Sequence, residues 1–272
     1  MERMRDGNNG DGLNEEALEK LPNGAKLGWG LVKPSTRGPK GELSVKKIVD
    51  AAVELADRDG LAAVSMSRVA ASLGFTTMSL YRYIASKDDL LMLMYDSVSE
   101  LELPERKDGD WRAAMRGYVW ACVEVFVNHP WFGDIPVTSI PIMPNTLKIV
   151  DWILGTMRSF PLNEHEKISI LLLLSSYSRS VGLINRDFGQ ALKAGANPDT
   201  FNGLEYSAAL KQLVKPDSYP HLYPIVMSGT YAGENEQAST VGNDFDFGLE
   251  RILDGIQHYL DTRKGPEPGP GQ

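Results

Sequence analysis

Two short amphipathic segments joined by a glycine constrain this chain of 272 residues more than any other feature. They lie within the stretch SMSRVAASLGFTTMSLYRYIASK, residues 65–87. Ser65 is a good N-cap, and a helix is predicted after it because apolar side chains return at helical spacing at Met66, Val69, Ala70 and Leu73. Gly74 then ends that helix, since a glycine can take a left-handed backbone conformation at no steric cost. The chain must therefore reverse direction at Gly74.

A second helix is predicted from Thr77 to Ile84, with Leu80 and Ile84 on its inner face. Thr76 or Thr77 can cap its first turn. Two short helices around a glycine turn are the layout of a helix-turn-helix DNA reader. The alternative is that both helices simply belong to a helical core.

The outward side chains of the second helix suit a DNA groove. Hydroxyl groups can bond to base edges, methionine can contact a thymine methyl, and tyrosine and lysine can reach phosphate oxygens. Arg82 could instead face a neighbouring acidic group. The predicted DNA-binding residues are Arg37, Lys40, Lys47, Ser67, Thr76, Thr77, Met78, Ser79, Tyr81, Arg82, Tyr83 and Lys87.

A third helix is predicted over Leu43–Asp59, capped by Ser44 and ended by Gly60. With this helix, the segment Arg37–Tyr95 resembles the DNA-binding domain of the tetracycline-repressor (TetR) family of bacterial transcription regulators. The resemblance rests on RGPK, IVDAAVELADRDGL, SMSRVAASLGF and MSLYRYIASKDDLL. It implies that LYRYI belongs to the recognition helix and that SKDDLL opens a connector helix towards a sensor domain. Tyr83 and Ile84 depart from the His or Phe pair often found there, which puts the phosphate contact of Tyr83 in doubt.

The remaining chain predicts further helices and no strands. After a connector ending near Leu103, helices are expected over 111–127, 145–160, 164–192 and 245–260, with two short ones around 206–213 and 219–228. The expected fold is all-α, with an N-terminal three-helix reader joined by the connector helix to a larger helical ligand-binding and dimerisation domain. The predicted boundaries are 1–40 for a flexible extension with a basic arm, 41–90 for the reader, 91–262 for the larger domain and 263–272 for a disordered tail.

Within the extension, only Leu13–Leu21 is predicted as a short helix, because Pro22 and the glycines of GAKLGWGLVKP should prevent another. Trp29 stands alone among those glycines, and could either dock on the body of the protein or lie near DNA.

The charge distribution separates the two halves of the protein. The formal net charge is −8, yet residues 1–42 carry seven basic and seven acidic groups and residues 43–90 carry six of each. All of the excess negative charge therefore lies beyond residue 90. Residues 26–47 hold six basic side chains against Glu42 alone, so that this arm can follow a phosphate backbone or enter a minor groove.

The C-terminal region is similar to the ligand-binding domain of tetracycline-repressor-like proteins, through HPWF at 129–132 and FDFGLERILDGI near the end. This similarity implies a homodimer in which the helices 164–192 and 245–260 pair with their copies. The physical requirement agrees, because a two-fold dimer reads an inverted repeat in double-stranded DNA whereas one reader contacts few base pairs.

A small-molecule effector, apolar or aromatic, is the predicted ligand of this larger domain. Aromatic walls with a few polar groups are typical of such pockets. For each candidate, ordinary core packing is the alternative. The candidate ligand-binding residues are Trp120, Phe126, His129, Trp131, Met143, Trp152, Tyr177 and Asn185.

Other functional classes find little support in the sequence. The glycine-rich loops, nucleophile elbows and paired histidines of common enzymes are absent, so no catalytic residue, metal or cofactor is predicted. The single cysteine, Cys122, lies in an apolar run and is expected to be buried and unreactive. No signal peptide is visible and Ile168–Leu174 is too short to span a bilayer, which predicts a cytoplasmic protein without membrane contact. The alternatives are an all-helical enzyme or small-molecule-binding protein with a structural helix-turn-helix, and a DNA-binding dimer without a sensor.

Overall fold

The computed structural model describes residues 15–32, 43–103, 110–137, 140–197, 203–234 and 244–263, and in these ranges it contains helices and no strands. This confirms the predicted all-α fold class. The chain divides into two compact units: residues 1–100 with 135–148, and residues 101–134 with 149–272.

The first unit contains the predicted three-helix reader. Helices α3 (Val45–Asp59), α4 (Met66–Ser72) and α5 (Thr77–Tyr81) follow a first pair, α1 (Glu15–Glu19) and α2 (Asn23–Gly28). Each reader helix begins at a hydroxyl side chain that accepts a backbone N–H of the first turn. The buried side chains of the reader include Ile48, Ala52, Leu55, Val69, Ala70, Leu80 and Ile84.

Two helices of this unit are shorter than predicted. α5 ends at Tyr81 instead of Ile84, because the N–H groups of Tyr83 and Ile84 both bond to the carbonyl of Leu80 and form a turn. The connector helix α6 spans Lys87–Ser97 and does not continue to Leu103. Ser97 and Ser99 donate their hydroxyls to carbonyls of the last turn of α6, a competition with the helical ladder that favours termination.

The prediction that no helix forms after Pro22 is wrong, because α2 begins at the next residue, Asn23. Pro22 supplies a preset backbone angle just before the helix, and its carbonyl accepts the N–H of Lys26. Gly24 and Ala25 are buried, and α2 packs against α6. Tertiary packing therefore overrides the weak helix propensity of NGAKLG.

A second helix, α8, is attached to α6 near the C-terminal end of α6. Helix α8 (Pro144–Thr156) begins in the first unit, and its residues from Ile149 onward belong to the second. The backbone N–H groups of Asn145 and Thr146 donate to the Oδ1 atom of Asp96, each at 3.0 Å. Asp96 thus supplies from another helix the cap that α8 lacks in its own sequence.

The second unit is built around two packed helices, α7 (Trp111–Asn128) and α9 (Glu164–Lys193). The rest of α8, α10 (Ser207–Leu213), α11 (Tyr223–Met227) and α12 (Asp244–Arg263) complete its helices in the described residues. α8 ends at Thr156, four residues before the predicted end at Phe160. Most of the core side chains come from α7, α8, α9 and α12, and they include Met115, Val119, Ile153, Leu174, Leu249 and Leu253; Met157, just after α8, is also part of this core.

Helix α9 is, by length and composition alone, apolar enough to cross a membrane, contrary to the expectation drawn from Ile168–Leu174. It packs along α7 and buries Ile170, Leu174 and Val181, so that one face belongs to the core of this unit. The opposite face is exposed and carries Leu172 and Leu173. A helix with one face in a protein core serves as the core helix of a folded domain.

Candidate nucleic-acid interface

The turn between α4 and α5 has the geometry that the glycine predicts. Gly74 has a φ of +74°, and a side chain there would meet nothing within 4 Å. The left-handed backbone is therefore the reason for glycine at this position. The N–H of Phe75 bonds back to the carbonyl of Ala70 at 2.9 Å and closes the end of α4.

Thr76 is the cap of α5, and this structural role limits its part in DNA contact. Its Oγ1 atom accepts the backbone N–H of Ser79 at 3.3 Å and lies 2.9 Å from the hydroxyl of the same residue. The two hydroxyls therefore satisfy each other while keeping spare lone pairs for water or a base edge. Thr77, next to them, is half-buried.

The side chains best exposed on α5 are Met78 and Tyr81, with 70% and 44% of their surface accessible. Leu80 between them is fully buried. Leu80 therefore anchors α5, and the side chains of Met78 and Tyr81 are free to contact a partner. A thymine methyl and a base edge are suitable partners for such side chains.

Two exposed cationic side chains follow α5 in the sequence. Arg82 and Lys87 are exposed, and neither makes an ion pair with any residue that the structure describes. Arg68 on α4 is already paired with Asp59 at 2.8 Å. The guanidinium of Arg58 and then that of Arg68 hold the pKa of Asp59 below its usual value. Arg82 and Lys87 are therefore the cations near α5 that remain available for phosphate.

The other predicted DNA-binding residues are less closely grouped. Tyr83 is half-buried in the turn after α5, while Ser67 is exposed and bonds to Ser65. Lys47 is exposed on the first turn of α3. Arg37 and Lys40 lie outside the described residues, as does the predicted tail after residue 263.

Sequence reasoning missed the carboxylate that organises the start of α6. Asp89 is only 8% exposed; its Oδ2 atom accepts the hydroxyl of Ser86, and its Oδ1 atom accepts the backbone N–H of Gly24, both at 2.6 Å. The spacing Ser86-x-x-Asp89 is a capping pattern that sequence alone could have revealed. The bond to Gly24 spans 65 positions and has no local signal.

The candidate ligand-binding residues of the second unit are engaged in packing. Phe126 packs edge-on against Phe132 with ring centroids 5.1 Å apart, and Trp131 is fully buried. Trp120 and Trp152 pack against the core, and Asn185 is half-buried. The hydroxyl of Tyr177 donates to the carbonyl of Phe245, and His129 lies 5.9 Å from the ring of Trp131. Met143 belongs to the other unit, where its Cε would lie 2.8 Å from a side chain added at Gly28.

A small cluster of polar side chains lies inside the second unit between α7 and α9. The hydroxyls of Tyr118 and Ser175 are 2.8 Å apart, and Ser178 is buried beside them. Cys122 hydrogen-bonds with Tyr118 and Ser178, but burial outweighs these bonds and raises the pKa of its thiol to about 12. Such a thiol stays protonated and unreactive near neutral pH.

The capped α4–turn–α5 pair, its buried leucine and its exposed outward face define a helix-turn-helix DNA-binding protein with a second helical unit. Two family models match the chain: residues 48–93 fit "Bacterial regulatory proteins, tetR family", and residues 103–260 fit "Tetracyclin repressor-like, C-terminal domain". The chain belongs to the TetR family of bacterial regulatory proteins. The enzyme alternative is set aside, because the members of this family are transcriptional regulators.

Characterised relatives agree with this assignment. The chain is 33% identical over 246 residues to the HTH-type transcriptional repressor DrrR1 of Streptomyces coeruleorubidus, covering 88% of this chain and 87% of that one. It is 31% identical over 136 residues to an HTH-type transcriptional regulator of Saccharopolyspora erythraea, covering 50% and 58%. The TetR family protein ActR of Streptomyces coelicolor in complex with actinorhodin superposes with a TM-score of 0.66 at 26% identity, over 80% of this chain and 97% of ActR.

Proposed function

We propose that this protein is a homodimeric repressor that binds an inverted-repeat operator and is released by a small-molecule effector. The observation that carries the DNA-binding part is the outward face of α5, where Met78 and Tyr81 are exposed and Arg82 and Lys87 are unpaired among the described residues. One reader contacts few base pairs, so a dimer is needed for an operator of useful length. Repression is proposed because the relative DrrR1 is a transcriptional repressor, and a cytoplasmic location is proposed because the target is DNA.

The exposed face of α9 supports the dimer. Leu172, Leu173 and Ile184 are exposed there, and between them lie the exposed small residues Ser176 and Ser180. Small residues let two helix backbones approach closely, and the flanking apolar groups gain by leaving water. On α12, exposed Tyr259 can extend this surface. We infer that α9 and α12 pair with their copies in a second chain.

The effector is proposed to be an apolar or aromatic molecule bound in the second unit. ActR binds actinorhodin in its solved complex. The second unit here packs Trp120, Trp152 and Tyr177 against its core, and the hydroxyl of Tyr118 in that core lies 2.8 Å from the hydroxyl of Ser175. A ligand releases DNA only if it binds the released conformation more tightly than the DNA-bound one.

The first experiment is selection of bound duplexes from a random pool with the full-length protein, followed by affinity at two salt concentrations. An enriched inverted repeat bound by two chains supports the proposal. Binding without enrichment, and only at low salt, would leave the helix-turn-helix a structural element and contradict it.

The second experiment tests for a sensor with actinorhodin and a panel of smaller apolar and aromatic compounds. A compound that raises the unfolding midpoint and weakens operator binding supports the effector role. If none of these compounds gives either response, the apolar or aromatic effector proposed here is contradicted and a DNA-binding dimer without a sensor is favoured.

A further inference from the structure

Helix α2 is held on the connector helix by an unusually close contact. The backbone N–H of Gly24 donates to Oδ1 of Asp89 at 2.6 Å, and this bond is buried. A Cβ atom at Gly24 would lie 3.0 Å from both the Cα and the carbonyl oxygen of Asp89. Only a glycine lets the two backbones approach this far without displacement.

The segment that follows α2 is attached at a second point within the same unit. The indole N–H of Trp29 donates to the carbonyl of Ile142 at 2.9 Å. A Cβ atom at Gly28 would lie 2.8 Å from Met143. Residues 23–29 therefore contact both α6 and the segment just before α8. The side chain of Trp29 docks on this segment, which resolves the alternative between docking and a position near DNA in favour of docking.

Asp89 connects this docking to the DNA-facing surface. Its carboxylate has two short hydrogen bonds, one from Gly24 and one from the hydroxyl of Ser86. The hydroxyl of Ser86 in turn accepts the backbone N–H of Asp89 at 3.0 Å, which caps α6. Lys87 is the first residue of that capped turn and is exposed.

We propose that residues 23–29 act as a brace that fixes the Ser86–Asp89 turn and so positions Lys87 for a DNA phosphate. Gly24 and Asp89 are positioning residues, and Lys87 is the group that touches DNA. This inference rests on the proposed DNA-binding function. Without the brace, a buried carboxylate oxygen loses its donor, and the first turn of α6 frays because its cap is shared with that carboxylate.

The test uses the full-length variant Gly24→Val and an operator duplex selected with the parent protein. Valine forces α2 away from Asp89, while every residue of the reader is unchanged. We expect operator affinity to be weaker by about fivefold for each reader and the salt slope of the dimer to be smaller by about two, as for loss of one phosphate contact in each chain. Asn23→Val adds the same side chain at an exposed neighbouring position and should bind like the parent.

A double-mutant cycle with Lys87→Ala separates positioning from general destabilisation. If the brace acts through Lys87, removing this lysine from the Gly24→Val protein should change affinity by less than about twofold. Gly24→Ala, a milder intrusion, should give an intermediate affinity and carries the test if the valine variant unfolds. Effects that multiply, or a Gly24→Val protein with the parent's salt slope, would overturn the brace. A parent protein that selects no operator would instead overturn the proposed function.

Discussion

Single residues of the reader are expected to contribute in two different ways. Tyr81 is exposed on α5 and faces a predicted base edge or phosphate, whereas Lys87 offers a charge at the start of α6. Polar contacts affect which sequence is bound, while cations affect all sequences and the salt dependence.

The matched variants Tyr81→Ala and Lys87→Ala test this division. Tyr81→Ala should weaken operator binding while changing the salt slope only slightly. Lys87→Ala should weaken binding to operator and random duplexes alike and lower the salt slope by about one for each chain, or about two for the dimer. Fluorescence anisotropy at several salt concentrations measures both. Two variants that bind as the parent does would show that this face does not enter the groove.

The backbone conformation of residue 74 is sufficient to explain why a glycine is found there. Gly74→Ala must hold a side chain at a φ of +74°, which should cost about 1–2 kcal/mol in the free energy of unfolding. Gly74→Asn should cost less, because asparagine tolerates left-handed backbone better. Urea unfolding of both variants tests the order; equal losses would mean that the turn rearranges.

Asp96 caps α8 from outside that helix, and its removal should be costly. Asp96→Ala leaves the N–H groups of Asn145 and Thr146 without their acceptor and should cost about 1–3 kcal/mol. Asp96→Asn keeps one carbonyl oxygen and should retain part of the stability. Amide hydrogen exchange at residues 145–148 should rise most in the alanine variant, and unchanged protection there would contradict the capping role.

Helix α12 is joined to α7 by an ion-pair network. Glu250 pairs with Arg112 and Arg116, and Asp254 pairs with Arg112 and Arg251. The hydrogen bond from Arg116, with a smaller contribution from Arg112, holds the pKa of Glu250 below its usual value. The folded state therefore binds the proton of Glu250 more weakly than the unfolded state does, and acid should weaken the link.

The stabilisation by Glu250 should be fully present above its unfolded pKa of about 4.3 and should disappear as the pH falls through its lower folded value. Glu250→Gln should accordingly lower the unfolding midpoint at pH 7 and lose this difference towards pH 3. Glu124→Gln is the control, because Glu124 is exposed on α7 and its carboxylate pairs with no residue that the structure describes. If the unfolding midpoint of Glu250→Gln were lowered by the same amount at both pH values, the lost stability would come from packing and not from the ion pairs.

The proposed dimer interface on the exposed face of α9 can be tested by substitution. Leu172→Glu places a charge where the proposed partner helix packs and should shift the protein from dimer to monomer in sedimentation experiments. Val127→Glu makes the same change at an exposed position at the end of α7 and should leave the dimer intact. A dimer in the Leu172→Glu protein would exclude this face as the interface.

For the whole molecule, the uneven charge predicts selective DNA binding. Residues beyond position 90 carry 23 acidic against 15 basic groups, and an acidic body repels DNA that the reader does not hold specifically. At physiological salt the selected operator should bind at least about 1,000-fold more tightly than random duplex. Comparable affinities would indicate that phosphate attraction dominates.

Local signals in the sequence were sufficient for most of the helices and for the reader. Ser44, Ser65 and Gly74 act on the nearest turn of backbone, so their roles follow from residue type and neighbours, and the all-α class follows from apolar spacing. The outward face of α5 was predicted for the same reason, because Leu80 and Ile84 determine which side is buried.

Only the tertiary structure decided what depends on distant partners. NGAKLG is a weak helix former, and it becomes α2 through a bond between Gly24 and Asp89 and the close approach of two backbones. The sequence groups Met143 with the ligand candidates of the larger domain, yet Met143 lies against Gly28 in the first unit. The cap of α8 likewise depends on Asp96, which lies on a different helix. Each of these features rests on contacts between residues 49 or more positions apart, which hydrophobic spacing does not encode.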